Sequence, residues 1–330
     1  MKRSVQRHAL AFVAALTLQL LVVAGDTRRV AAQEWPNSAV KIIVVGGAGG
    51  GGDILARLVA ERLSSVFKQN FVVENRVGAG GTIGSQAISS AAPDGYTLGA
   101  PLLSSLSLAS AINPSVQYDP SRGFTHIAYI AGAPVVLTSS LKTNVKTLPE
   151  FVRYAQANRF TYATAGVGTD GHLAGELIAE NLKLASDHVS YKSAAQGMSD
   201  IVAGHVSFAT FNFGSSTAFL RSSQVNGVAV TSRQRLPDYP NLPTFSELGY
   251  PNVVMTTWYL LSGPPNLPAD IVDKLNREVR KFVATPEMQQ RFRRDGLVSE
   301  DMSPAELKAY VASENTRWKP LIESVRARLK

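Results

Sequence analysis

Six glycines fall within the seven residues Gly46 to Gly52, interrupted only by Ala48, between the apolar run Val40 to Val45 and a helical pattern beginning at Asp53. A strand that ends in glycine and feeds a helix is a narrow structural commitment. Glycine lets the backbone approach a ligand closely, and the first N–H groups of a helix have no intrahelical partner. The helix dipole adds partial positive charge at the same end, so the loop predicts a site for an anion, a phosphate or a carboxylate.

The rhythm recurs along the chain. Ile54, Leu55, Leu58, Val59, Leu63 and Val66 have helical spacing, and Phe71 to Val73 reads as a second short strand. A glycine cluster follows at Gly78 to Gly81, then a helix over Ile83 to Ala91, a Pro93-Asp94-Gly95 turn and a strand at Tyr96 to Leu98. Farther on, Ile127 to Ile130 and Val135 to Thr138 are extended. Leu148 to Asn158 is helical, with Thr147 as cap and Pro149 near its start. Thr161 to Ala163 is a strand, Gly166 to Gly171 a second glycine-rich loop, and His172 to about Leu184 a helix. Val206 to Phe211 and Gly227 to Val230 are further strands, and the chain closes with helices over Ala269–Val283, Pro286–Arg294 and Pro304–Leu329. Strands alternating with helices predict the α/β class, with mainly parallel sheets flanked by helices.

The N-terminus predicts a compartment. Lys2, Arg3 and Arg7 precede an apolar stretch from Ala9 to Ala24, and Val30-Ala31-Ala32 offers small residues before a cut. This is the layout of a secretory signal peptide over residues 1–32, cleaved after Ala32. Those residues carry Lys2, Arg3, Arg7, Arg28 and Arg29 against Asp26, a net of +4, so the rest of the chain keeps +4 of the total +8. The high overall pI of 9.7 therefore overstates any case for nucleic acid, and the cluster Arg291, Arg293 and Arg294 reads as a solvated helix face. With no cysteine in 330 residues, disulfides, thiolate metal sites and a cysteine nucleophile are excluded.

Motif spacing alone admits a nucleotide site. Gly47, Gly49 and Gly52 satisfy G-x-G-x-x-G after a strand, and Glu74 lies near the position of a ribose-binding acid. A dinucleotide-binding oxidoreductase is therefore the alternative in another functional class. A free dinucleotide is out of place in an exported compartment, however, and so glycine-dense a run satisfies many spacings by chance. No G-x-S-x-G elbow occurs. His172 and Glu176, one helical turn apart, lack the further histidines of a zinc site. No catalytic residue, metal or cofactor is expected.

The order of the motifs resembles the Bug-type periplasmic solute-binding proteins of tripartite tricarboxylate transporters. Trp35-Pro36, Asp53 to Arg57, Glu74 to Gly84, Pro93 to Leu98, Ile112-Asn113-Pro114 and Tyr118-Asp119-Pro120 come first. Gly166 to Thr169, His172 to Glu176, Tyr191-Lys192, Val228 to Ser232, Pro243-Thr244-Phe245 and Trp258 follow. The resemblance implies a type II, Venus-flytrap fold of two α/β domains, one of residues 33–134 plus 258–330 and one of residues 135–257, closing on a ligand in the cleft. It implies a monomeric periplasmic receptor, not an enzyme, that hands a small organic acid (a dicarboxylate, an aromatic acid or a related amide) to membrane permease subunits. A sensor of the same fold that feeds a signalling kinase is the alternative use.

The expected ligand-binding residues are Gly47, Ala48, Gly49, Gly50, Gly51 and Asp53 from the first loop, with Ser104 and Ser105 from the Gly99 to Ser110 segment. Gly168, Thr169, Asp170 and His172 come from the second loop, and Tyr191, Asn212 and Trp258 complete the set. Trp258 reads equally well as a ligand platform or as packing between domains. Two departures from the family pattern stand out. The proline and the aromatic or apolar residue that usually precede the first glycine pair are replaced by Val45, Gly46, Gly47 and Ala48, which predicts a more open pocket wall. Asp170 occupies a position that is usually small or hydroxyl-bearing. It is read as an N-cap for the helix at His172, with the alternative that it meets an amino group or amide and repels a second carboxylate.

Overall fold

A computed structural model describes residues 34–328; the signal-peptide reading concerns residues outside that range. The first strand, β1 (Val40–Val44), exposes only Lys41, as expected of a strand covered on both faces. It leads through the glycine loop into α1 (Gly51–Phe67), which buries Leu55, Ala56, Val59, Ala60 and Leu63 along one stripe. The chain then forms β2 (Phe71–Asn75), α2 (Thr82–Ser89), β3 (Thr97–Ala100) and two short helices, α3 (Leu103–Leu106) and α4 (Leu108–Ile112). β1 pairs in parallel with β2 on one side and β3 on the other.

The central element is β4 (Thr125–Ser140), a single strand of sixteen residues. The two extended runs predicted at 127–130 and 135–138 are one strand, and the intervening Gly132-Ala133-Pro134 does not break it. Those residues lie where β4 changes partners. Thr125 to Pro134 pairs antiparallel with β9 (Thr256–Gly263), and Val135 to Ser139 pairs with β7 (Phe208–Asn212). Along Val136 to Ser140, β4 also pairs with β8 (Val225–Val230). Pro134 cannot donate a ladder hydrogen bond, and the backbone of Gly132 is paired instead with Val298.

After β4 come α5 (Leu148–Asn158), β5 (Phe160–Thr164), α6 (Asp170–Leu182), β6 (Ser186–Ser190) and α7 (Ala194–Ala203). α5 starts where the sequence predicts, with Glu150 reaching back to the backbone N–H of Thr147 at 3.0 Å. β5 pairs in parallel with β6 and β7. A further helix, α8 (Phe213–Arg221), links β7 to β8, and α9 (Ala269–Val283), α10 (Pro286–Asp295) and α11 (Pro304–Arg328) follow β9. The strand order is β2-β1-β3-β9-β4-β7-β5-β6, with β8 joined to β4. Every antiparallel pairing of these strands involves β4 or β9.

Part of the buried core is aromatic. Phe151 stands edge-on to Phe160 and Phe208, with ring centroids 5.0 and 4.9 Å apart. In the same core Trp258 is fully buried and meets Tyr310 edge-on at 5.8 Å. No helix among the described residues is long and apolar enough to cross a membrane.

Candidate ligand-binding cleft

Both glycine-led helix starts open onto one cleft of about 1060 Å³. The loop from Gly46 to Gly52 and the first residues of α1 form one wall. Ala165 and Thr169 to Gly171, at the start of α6, belong to another. By the geometry of an α-helix, the N–H groups of both first turns are free of intrahelical acceptors. The two starts bring positive dipole ends to a shared space, an arrangement suited to carboxylate oxygens.

The first loop is held from behind. Asp53, 3% exposed, accepts from the backbone N–H of Gly49 at 2.9 Å and from Arg57 Nε at 3.0 Å through Oδ2. Its Oδ1 accepts from Asn75 Nδ2 at 2.9 Å and faces Arg57 Nη2 at 2.9 Å. Asn75 also donates to the carbonyl of Gly46 at 3.0 Å. Burial would raise the carboxyl pKa, but the bonds from Arg57, Gly49 and Asn75 outweigh it and hold Asp53 below its usual range. Asp53 thus fixes the loop through bonds that use both of its oxygens.

Within the loop the glycines serve different ends. A Cβ on Gly51 would sit 2.8 Å from the Tyr259 hydroxyl, so the tyrosine's close approach requires glycine there. At Gly46, Gly47 and Gly49 an added Cβ would meet nothing within 4 Å. Their side-chain space is open. Gly49 also takes φ +77°, a left-handed conformation that disfavours other residues.

The second loop is built differently. Thr169, not Asp170, is the N-cap of α6: its Oγ1 accepts from the His172 N–H at 3.4 Å. Asp170 is the first helical residue, so the N-cap reading is corrected by one position. Glycine is required at 171, where a Cβ would lie 2.2 Å from the Thr210 carbonyl oxygen. The Gly168 N–H donates to His172 Nδ1 at 3.2 Å, which places the ring proton on Nε2 in the neutral form. His172 stacks on His188 at 4.0 Å, and His188 Nε2 meets Thr164 Oγ1 at 2.6 Å. Burial, the first cause, and the neighbouring His172 push the His188 pKa down to about 4, so it is neutral at pH 7.

Asp170 is 5% exposed. Burial pushes its carboxyl up to about 6, against the hydroxyl of Thr257 and the backbone N–H and hydroxyl of Ser104, which favour the ionised form. Its Oδ1 has no hydrogen-bond partner among the described residues. Around it stand Ser104, Asn212 and Tyr259, all on the cleft wall. Asn212 Oδ1 accepts from Thr257 Oγ1 at 3.0 Å. Burial and the nearby Asp170 charge raise the Tyr259 pKa well above its usual range, so its hydroxyl keeps its proton.

Of the residues expected to bind ligand, Gly47 to Gly51, Asp53, Ser104, Thr169, Asp170 and Asn212 line this cleft. The other five are placed elsewhere. Ser105 is buried against Ser85 at 2.9 Å. Gly168 packs on Ala109. His172 stacks within its buried cluster, and the Tyr191 hydroxyl donates to Asp200 at 2.7 Å. Trp258 lies in the core. Strand alternation explains the last case: with Trp258 turned inward, its neighbour Tyr259 faces the cleft.

The rim is cationic. Lys192, Arg221, Arg291 and Arg294 border the opening, and Asp295 ties Arg294 at 3.1 Å and Arg291 at 3.4 Å. Two arginines of the cluster read as a solvated helix face therefore belong to the cleft edge. Glu74, the acid the dinucleotide reading would assign to a ribose, is paired with Lys41 at 2.9 Å and Arg76 at 2.5 Å. No group of three or more metal-ligating side chains occurs among the described residues.

Residues 55–326 match the model of the tripartite tricarboxylate transporter family receptor. A UPF0065 protein from the tcbD-tcbE intergenic region of Pseudomonas sp. strain P51 is 30% identical over 94% of this chain and 93% of its own length. Among solved structures, the periplasmic binding protein BugD superposes with a TM-score of 0.78 at 29% identity, covering 88% of this chain and 98% of that one. Rpa4515 of R. palustris, solved with adipate, gives a TM-score of 0.81 at 29% identity over 88% of this chain and 98% of that one. With most of the chain matched in sequence and in fold, the protein is a solute-binding receptor of the tripartite tricarboxylate transporter family, with the two-domain α/β fold of a periplasmic binding protein.

Proposed function

We propose that the protein works in the periplasm, freed from a leader cut after Ala32, and captures a small organic carboxylate in the cleft. It then presents the closed, liganded form to membrane permease subunits and carries out no chemistry itself. Two lobes, residues 33–134 plus 258–330 and residues 135–257, would close over the ligand about β4 and β9. The observation that carries this reading is the convergence of two glycine-led helix starts on one cleft, which supplies N–H donors to a carboxylate from both sides. The adipate in the R. palustris relative supports the ligand class. The cationic rim supports it too, because clustered positive charge at a cleft mouth draws anions in.

The reading is tested by thermal shift of the purified protein against monocarboxylates, dicarboxylates, aromatic acids, their amides and NAD. A ligand that binds only the folded state at a hundred times its Kd stabilises by about 2.7 kcal/mol. A shift with carboxylates and none with NAD is expected. A shift with NAD alone would replace the receptor reading with the dinucleotide one.

A further inference from the structure

Three acids belong to the cleft, and two of them are neutralised by neighbours. Asp53 is bonded by Arg57, Asn75 and the Gly49 backbone, and Asp295 lies between Arg291 and Arg294. Asp170 is the exception. No cation sits beside it, and its Oδ1 has no partner among the described residues although the side chain belongs to a residue only 5% exposed. A buried carboxylate oxygen left without a donor is costly, and native structures normally supply one. The donors it has, the Thr257 hydroxyl and the backbone N–H and hydroxyl of Ser104, leave Oδ1 without a partner, and the single hydroxyl proton of Thr257 is also claimed by Asn212.

The geometry points to Asp170 as the specificity residue for ligands that carry an N–H donor, an ammonium or a primary amide, in addition to a carboxylate held by the loop from Gly46 to Gly52. This rests on the receptor reading above and narrows its ligand class. An ammonium would give Oδ1 its missing hydrogen bond and compensate the buried charge in the same contact. A primary amide would supply the bond alone. A second carboxylate at that end would set acceptor against acceptor and like charge against like charge, in a site sheltered from water. Asp170 is therefore both the attraction for one ligand class and the barrier to simple dicarboxylates.

The test is calorimetric titration of the purified protein with matched probes. One set is glutarate, glutaramate and γ-aminobutyrate; the shorter set is succinate, succinamate and β-alanine. Benzoate and nicotinamide-type aromatic pairs extend the panel. In the wild type, an N–H probe is expected to bind at least about tenfold tighter than its matched dicarboxylate. Asp170→Asn and Asp170→Ser should each collapse that preference by about tenfold while leaving or improving dicarboxylate binding. Circular dichroism melts confirm that both variants are folded, and the wild-type ratios decide the matter even if one variant is not. Equal or tighter binding of the dicarboxylates, or a panel whose tightest ligands all lack an N–H donor, overturns the assignment and leaves the receptor reading standing. A wild-type protein that binds no carboxylate in the panel removes the receptor reading itself, and this assignment with it.

Discussion

Asp53 and Asp170 invite direct comparison. Each lies in the first turn of a helix that follows a glycine-rich loop, each is buried, and each belongs to the same cleft. Their electrostatic states are opposite. Asp53 accepts from a backbone N–H, an amide and a guanidinium, and its pKa is lowered. Asp170 is pushed up to about 6 because burial outweighs the donors it has. Residue type and first-turn placement are shared, so the difference comes from the neighbours: Arg57 on the same helix, Gly49 in the loop and Asn75 on β2 surround Asp53, whereas Thr257 and Ser104 meet Asp170. The first aspartate is used up in building the loop; the second keeps one oxygen without a hydrogen-bond partner among the described residues.

The sharpest way to break the comparison is to neutralise each acid in turn and follow stability with pH. Asp53→Asn removes the charge that Arg57 and the Gly49 N–H are arranged around. It should destabilise the protein by about 2–3 kcal/mol at pH 7 in urea unfolding. Because the folded pKa is depressed, that contribution is present above the unfolded value of 3.8 and disappears as pH falls through the lower folded pKa. Asp170→Asn should have the opposite sign. Here the folded pKa is raised, so the wild type is favoured below the unfolded value of 3.8 and loses stability as pH rises through about 6. The variant should therefore be more stable than the wild type at pH 7, by about 1–3 kcal/mol, with that gain gone at low pH, where both carboxyl states are protonated. A Tm difference that did not change sign or size with pH would remove the contrast between the two acids.

Smaller effects sharpen it. Gly51→Ala places a methyl against the Tyr259 hydroxyl and should cost about 1 kcal/mol or more in urea unfolding. Gly47→Ala, with open space around it, should cost less than about 0.5 kcal/mol, so the pair separates packing glycines from those that line the opening. Replacing Arg291 and Arg294 together by glutamine should lower the association rate of an anionic ligand a few-fold at low salt, in stopped-flow fluorescence. That difference should fade as the ionic strength rises.

The first loop and its helix are legible in the sequence because their signal is local: glycine density, an apolar strand before and a helical stripe after. α5 and α9 are equally plain from capping and periodicity. Elements that the sequence hides lack such signals. β6 reads Ser-Asp-His-Val-Ser and is nowhere fully buried, so an edge strand leaves no apolar alternation to find. α8, Phe-Gly-Ser-Ser-Thr-Ala-Phe-Leu-Arg, begins with weak helix formers. Gly132 and Pro134 suggest a break in β4, because their use at an exchange of partners depends on strands distant in sequence. In the cleft, the choice between Trp258 and Tyr259 is a matter of register set by β4. The orphan state of Asp170 likewise depends on residues far along the chain. Tertiary neighbours decide both, and a single sequence does not display them.

The strand order also governs when this protein can finish folding. β9 lies between β3 and β4, so Gly99, already opposite Ile43 of β1, finds its second partner at Ser262, and Thr125 pairs with Gly263. The sheet cannot close until most of the chain is available, and pairings so distant in sequence form slowly. The central sheet therefore stays incomplete until β9 has paired with both β3 and β4.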